Sequence, residues 1–184
     1  MPDAKSELRA RLRAARRARD EAALVAAGAA LAAHAPALHA ATVAAFVGVR
    51  GEPPTLPLLA ALRAAGGRVL LPVLEADLDL DWAVYDGELG EGRLGMREPP
   101  GPRLGRTAIG EAGLVLTPAL AVDATGRRLG QGGGSYDRAL PRTTARAVAV
   151  VFDDELLDRV PTEPHDRPVD GVLTPAGGLR WFGE

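Results

Sequence analysis

Ala112–Leu140 reads AGLVLTPALAVDATGRRLGQGGGSYDRAL: an apolar run, a glycine-dense loop between basic residues, and a segment of good helix formers. AGLVLTPAL predicts a buried strand. SYDRAL predicts a helix that stops near Pro141. A strand leading through a glycine loop into a helix is the opening of a βα unit, so this stretch decides the fold class.

Working outward, the same alternation recurs. TVAAFVGV (Thr42 to Val49) is β-branched and apolar, and Gly51-Glu52-Pro53-Pro54 ends it as an exit loop would. TLPLLAALRAAGG predicts a helix with Thr55 as N-cap and Gly66-Gly67 as its stop. RVLLPVL predicts the next strand, and LDLDWAVY (Leu78 to Tyr85) alternates apolar and acidic residues as a half-exposed strand near a sheet edge does. Asp86 to Arg106, rich in Gly, Pro and charge, reads as a long surface loop. RAVAVVF predicts a strand, DDELLDRV a short helix and GVLTP a last short strand. Asp3 to about His34, rich in helix formers, predicts one long N-terminal helix with a break near Gly28. Together these imply a single α/β domain over residues 1–184, with a mainly parallel sheet and helices on both faces. Ligands of such sheets sit where loops leave the carboxyl ends of the strands.

The chain has 184 residues, 22 Lys and Arg against 24 Asp and Glu, a formal charge of -2 and no cysteine. Thiol catalysis, disulfides and zinc–thiolate sites are excluded, and the near-neutral charge gives no signal for nucleic acid or an anionic membrane. No apolar run approaches the roughly 20 residues of a membrane span, and no signal-type leader is evident, so a cytoplasmic protein is expected.

In the glycine loop, Gly130, Gly132, Gly133 and Gly134 allow positive φ and let a ligand approach backbone N–H groups closely. Arg127 and Arg128 precede them and can make charge-assisted hydrogen bonds to phosphate. Asp137 would repel phosphate unless a divalent cation lay between, a place magnesium fits. On residues alone the stretch is open between a mobile turn and an anion cradle. It is neither a P-loop nor a dinucleotide fingerprint: no Gly-Lys-Ser/Thr follows the glycines, and Ser135 stands where a third glycine belongs.

KSELR near the N-terminus, GEPPT after the first strand, LTPALAVDATGRRLGQGGGSYDRAL in the centre and HDRPVDGVLT near the end together resemble the 5-formyltetrahydrofolate cyclo-ligase family, in its order and spacing. The resemblance implies a fold similar to the phosphosugar-isomerase and CoA-transferase-like group. It also implies a monomer that uses Mg-ATP to close the formyl group of 5-formyltetrahydrofolate into a 5,10-methenyl bridge, with no nucleic-acid or membrane partner. By the same resemblance Lys5 and Arg9 contact ATP phosphates. So do Arg128, Leu129, Gly130, Gln131, Gly132, Gly133, Gly134, Ser135 and Tyr136, of which Gln131 to Tyr136 also line the folate pocket. Val47 is a wall of that pocket and Glu52 a folate contact. Asp137 and Asp170 are magnesium ligands, and Lys5, Arg128 and Asp137 carry the catalytic load.

Each residue has a plainer reading from composition. Lys5 and Arg9 sit in a helix with five more arginines and could be a solvated basic face. Glu52 could be a loop carboxylate in water, and Asp170 in PVDG a turn residue. His165 and Asp166 carry no assigned chemistry, and Asp153-Asp154-Glu155 reads as a helix N-terminus. Trp82, Tyr85 and Met96 read as apolar packing, with a folate-ring wall as the other option. Gln131 and Ser135 depart from the family's usual residues. The alternative enzyme is a phosphosugar isomerase or acyl-CoA-type relative of the same fold group, its glycine loop holding a substrate phosphate.

Overall fold

The computed structural model describes residues 3–183. Five parallel strands form the middle of a seven-stranded sheet in the order β12-β11-β9-β6-β1-β2-β3. They are β1 (Thr42–Ala44), β2 (Arg68–Leu74), β6 (Leu114–Pro118), β9 (Arg146–Val150) and β11 (Gly171–Thr174). Antiparallel strands close both edges: β3 (Leu80–Val84) on β2, and β12 (Gly178–Trp181) on β11. The expected α/β architecture is present.

Period-two alternation sorts side chains between two cores. Val69, Leu71, Leu116, Val148 and Val150 face helices α2 (Glu21–Ala33) and α3 (Leu56–Ala64). Leu70, Val115, Ala147, Ala149 and Val151 face the opposite layer. That layer holds the short α4 (Ser135–Ala139) and 3-10 turns at Arg106–Glu111 and Leu140–Arg142, so long helices cover one face only.

The N-terminal segment corrects the expectation of one long helix. α1 (Ala4–Arg17) and α2 are separate, and the break falls at residues 18–20, where Asp20 caps α2 by accepting from the Ala23 N–H at 2.6 Å. Gly28 lies inside α2, where a Cβ would meet Pro54 and Pro57 at 3.3 Å, so it serves close helix–loop packing. No apolar side chain of α1 belongs to either core of the main sheet among the described residues. Its Leu12, with Leu8 beside it, packs on Leu120, Leu129 and Val160 of a small annex sheet. That sheet has the order β10-β7-β8, from Leu156–Leu157, Ala121–Asp123 and Arg128–Leu129.

Other boundaries differ for local reasons. Regular pairing of the first strand ends at Ala44, although Ala45 still donates to Leu70 at 2.8 Å. Thr55 makes no side-chain cap; its hydroxyl donates to Phe46 O at 2.6 Å and accepts from Gly48 N–H at 2.9 Å, tying the strand exit to the loop. DDELLDRV is a single 3-10 turn followed by β10, because each acidic side chain has a tertiary task. Asp153 accepts from Thr174 Oγ1 at 2.6 Å and from Gly177 N–H at 2.9 Å, Asp154 pairs with Arg19, and Glu155 pairs with Arg16. The 86–106 segment contains a small hairpin of β4 (Gly90–Glu91) and β5 (Arg97–Glu98). β12 was not expected from the sequence. It is a four-residue strand returning through Gly177-Gly178.

Candidate active site

A cleft of about 410 Å³ opens beyond the carboxyl ends of β1, β2 and β6, between main sheet and annex. Phe46, Pro72, Leu74 and Met96 form its apolar side. Lys5, Arg9, Arg128, Asp137 and the glycine loop form its polar side, and Glu52 joins the two.

The loop is held from outside by its carbonyls. Arg9 Nε donates to Gly130 O at 3.0 Å, Arg13 Nη2 to Gln131 O at 2.8 Å, and Arg138 Nη2 to Gly133 O at 2.9 Å. The N–H groups of Gly132, Gly133 and Gly134 find no acceptor among the described residues. Positive φ at Gly132 (109°) and Gly134 (68°) makes this turn possible. Carbonyls engaged and amides free is the polarity an anion requires. α4 has five residues, so the attraction comes from these amides more than from a helix dipole.

Arg128, on β8, is buried; its Nη2 donates to Asp137 Oδ1 at 2.6 Å and its Nη1 to Pro118 O at 3.4 Å, while Nε has no partner. Asp137 Oδ1 also accepts from Arg167 N–H at 3.0 Å, which leaves its Oδ2 open in the cleft. Lys5 is 8 % exposed, far from a solvated basic face, and its Nζ lies 2.6 Å from Asp166 Oδ2 and 3.1 Å from Glu163 Oε2. Burial works against the ammonium, yet the two carboxylates outweigh it and hold its pKa above the usual lysine value.

Glu52 is placed by its loop. Gly48 has no room for a Cβ, which would lie 2.1 Å from Pro53 O, so the chain folds tightly enough for Val49 N–H to reach Glu52 Oε2 at 3.1 Å. Gln131 Nε2 donates to Oε1 at 3.2 Å. Burial raises the carboxyl's pKa above its ordinary value, opposed by those two donors and by Arg16 and Arg50. Tyr136 is buried beside Glu52 and Arg128 with its hydroxyl unpartnered, and burial, then Glu52, raises its pKa. Its ring meets Trp82 edge-on, centroids 6.5 Å apart.

Three expected site residues lie elsewhere. Asp170 is outside the cleft: it precedes β11, at the amino end of the parallel strands, where its Oδ2 accepts from Ala147 N–H at 2.7 Å. It is not brought to Asp137. Val47, 3 % exposed, belongs to the α2–α3 core, and Phe46 reaches the cleft in its place. Leu129 is buried in the annex core and contributes only backbone nearby. Lys5, Arg9, Glu52, Arg128, Gly130, Gln131, Gly132, Gly133, Gly134, Ser135, Tyr136 and Asp137 do share the cleft wall. Of the three possible folate-facing aromatics and methionine, only Met96 lines it; Trp82 and Tyr85 are core.

Sequence reasoning missed Arg13, Arg16, Glu163 and Asp166. Arg16 Nε and Nη2 grip Glu155 at 2.7 and 2.8 Å, both side chains 2 % exposed, and Nη2 also donates to Ala119 O, which locks α1 onto the annex. The available signal was the i, i+4 series Lys5, Arg9, Arg13: one helix face carries three cations, while Leu8 and Leu12 mark another.

The profile of the 5-formyltetrahydrofolate cyclo-ligase family matches residues 2–175. A 5-formyltetrahydrofolate cyclo-ligase of Mycolicibacterium smegmatis is 50% identical over 146 residues, 75% of each chain. The Escherichia coli K12 protein of that name is 35% identical over 153 residues, 79% of this chain and 84% of its own. Among solved structures, the Aquifex aeolicus 5,10-methenyltetrahydrofolate synthetase superposes with a TM-score of 0.82 at 26% identity, covering 98% of this chain and 93% of that one. With a loop of free amides and a half-buried carboxylate in one cleft, and with the family profile matching nearly the whole length, the chain belongs to the 5-formyltetrahydrofolate cyclo-ligase family.

Proposed function

We propose that the chain is an ATP-dependent ligase that cyclises 5-formyltetrahydrofolate to 5,10-methenyltetrahydrofolate, releasing ADP and phosphate. The observation that carries this reading is the glycine loop, its carbonyls held by Arg9, Arg13 and Arg138 and its amides free, in the same cleft as Glu52. The first is an anion cradle. The second suits the hydrogen-bond donors of a pterin ring.

A formamide carbon is a poor electrophile and its oxygen a poor leaving group, so the oxygen must be activated. The formyl oxygen attacks the γ-phosphorus of ATP; a P–O bond forms, the bond to the β-phosphate bridge breaks, and ADP leaves. The N10 lone pair then attacks the activated carbon, the C–O bond breaks, and phosphate departs with the former formyl oxygen while N10 gives its proton to water. No protein nucleophile is needed. The chain's task is alignment and charge neutralisation, to which phosphoryl transfer is most sensitive.

Lys5, Arg9, Arg128 and the Gly132–Gly134 amides would meet the phosphates, with Lys5 exchanging a carboxylate partner for phosphate. Leu74, Pro72 and Met96 would take the folate's flat apolar parts, with Glu52 on its donors. Tyr136, whose buried hydroxyl lacks a partner, would hydrogen-bond a substrate atom. Magnesium fits Asp137, whose Oδ2 is open in the cleft and which stands beside the phosphate loop, since that ion commonly takes one or two carboxylates plus phosphate oxygens. When bound it supplies positive charge between that carboxylate and the phosphates. The parallel sheet with an anion loop at its carboxyl edge also supports placing the fold with the phosphosugar-isomerase and CoA-transferase-like group.

Incubation with 5-formyltetrahydrofolate and Mg-ATP tests the reading: methenyl product appears as near-ultraviolet absorbance, in proportion to ADP. Folded protein giving neither would return the cleft to a phosphosugar-isomerase or acyl-CoA-type reaction, which needs no ATP hydrolysis.

A further inference from the structure

We propose that Arg13, acting through the side chain of Gln131, is a positioning residue that couples nucleotide at the glycine loop to folate at Glu52. This rests on the ligase reading above. Arg13 is solvent-exposed on α1 and is not part of the cleft wall, yet its guanidinium makes three contacts to one residue. Nη2 donates to Gln131 O at 2.8 Å and to Gln131 Oε1 at 3.0 Å, and Nε donates to the same Oε1 at 3.1 Å.

A guanidinium has donors only, so the oxygen end of the Gln131 amide must face Arg13. The NH₂ end is therefore turned toward Glu52, where it donates to Oε1 at 3.2 Å. With the amide reversed, NH₂ would face a cation and oxygen would face a carboxylate, two repulsive contacts in place of two attractive ones. Arg13 thus sets the polarity of the amide. Without it Gln131 can rotate, and Glu52 keeps only the Val49 N–H at 3.1 Å.

The same guanidinium grips the Gln131 carbonyl, next to the free amides of Gly132 to Gly134. A nucleotide drawing on those amides restrains the backbone from which the Gln131 side chain reaches Glu52. Folate drawing on Glu52 restrains the same side chain from its far end. Each ligand then leaves less to be ordered by the other, and the coupling is reciprocal by thermodynamic linkage. Arg9 donates to Gly130 O and, among the described residues, makes no hydrogen bond to Gln131 or Glu52, so it lacks this double role.

The test is the equilibrium affinity for 5-formyltetrahydrofolate with and without a non-hydrolysable Mg-ATP analogue. It is measured in the wild type, Arg13→Ala, Gln131→Leu and the double variant, each checked by its melting temperature. The expected wild-type result is tightening by about tenfold when the analogue is present, within the usual range of site coupling. In Arg13→Ala that ratio falls toward one, whatever the loss of affinity for the analogue alone. The double variant loses no more coupling than Gln131→Leu alone, because both act on one path. A ratio unchanged in Arg13→Ala, or losses that add in the double variant, overturns the proposal. Wild-type turnover is followed in parallel. An active enzyme whose folate affinity ignores the nucleotide overturns the coupling alone, and an inactive one overturns the reaction and the coupling together.

Discussion

The main sheet and the annex that carries α1 are held together by different forces. In the cores of the main sheet, Leu58 and Leu59 of α3 and Leu70, Leu71 and Val148 of the strands are each 0 % exposed, and the two layers are hydrocarbon almost throughout. The annex core consists of five buried apolar residues with Leu8 and Leu157 at its margin, and α1 is fastened beside it by ions. Arg16 grips Glu155, Arg19 stacks on Phe152 with its guanidinium 3.9 Å from the ring centroid, and Lys5 lies between two carboxylates. Apolar burial is non-directional and tolerates a change of shape, whereas a buried ion pair depends on its exact partner. The cleft lies on the boundary. Its apolar side is built on the sheet and its polar side on the annex.

The largest expected effect separates chemistry from both scaffolds. Asp137→Asn keeps an acceptor for Arg128 and Arg167 but removes the negative charge, so the fold should persist while turnover with Mg-ATP falls by about a thousandfold. Wild-type turnover in this variant would remove Asp137 from the metal assignment. Asp137→Ala is a poorer probe, because it would strand a buried guanidinium.

Next in size is a direct test of the comparison. Arg16→Met leaves Glu155 buried and unpaired, which should cost about 3 kcal/mol in denaturant unfolding and raise the KM for ATP. Replacing both partners, Arg16→Met with Glu155→Leu, should recover most of that stability. Leu58→Ala on α3, packed against the sheet, should cost a similar amount, about 3 kcal/mol, yet leave the KM for ATP unchanged, because α3 carries none of the proposed phosphate contacts. If both single variants raised that KM equally, the two regions would not be separable. Smaller again is Lys5→Ala, expected to raise the KM for ATP about tenfold and that for folate by much less. Equal changes in both would assign Lys5 to the annex scaffold alone.

The same division explains what the sequence revealed. The five parallel strands could be read because each is an apolar run bounded by Gly, Pro or charge, and burial on both faces needs nothing more specific. The glycine loop's position at the carboxyl edge followed from that alternation, whereas Glu52 was singled out only by the family resemblance. The annex could not be read this way. β7, β8 and β10 are two or three residues long, too short for any periodicity, and the ion pairs that hold α1 join residues more than 100 positions apart, such as Arg16 and Glu155. Arginine abundance hid the selected ones: Arg13 and Arg16 look like their neighbours until the annex supplies partners. The position of Asp170 was hidden for a related reason. A motif fixes a residue's neighbours in sequence, and here the strand it precedes begins at the amino edge, where its carboxylate caps Ala147.

The smallest expected effect lies in pH, where two carboxylates respond with opposite sign. Arg142 donates to Asp79 at 2.6 and 2.7 Å and, with Arg106, holds its pKa at about 2. The folded chain binds that proton less readily than the unfolded one, so Asp79 stabilises the fold above its ordinary value of 3.8, and this is lost as pH falls toward 2. Glu52 is raised, chiefly by burial, so the folded chain binds its proton more tightly than the unfolded one. Its contribution favours the fold below 4.5 and is lost as pH rises through the raised value. In the proposed reaction function runs the other way, because the carboxylate is the form that would accept from a pterin. Of the groups facing Glu52, Gln131 does not titrate, and Tyr136 is raised well clear of this range. Lowering the pH from about 7.5 toward the raised Glu52 value should therefore raise the KM for 5-formyltetrahydrofolate, with the KM for ATP moving less, and Glu52→Gln should flatten the folate limb. A folate KM that rises just as steeply in Glu52→Gln would place the titrating group elsewhere and leave Glu52 a part of the loop's architecture.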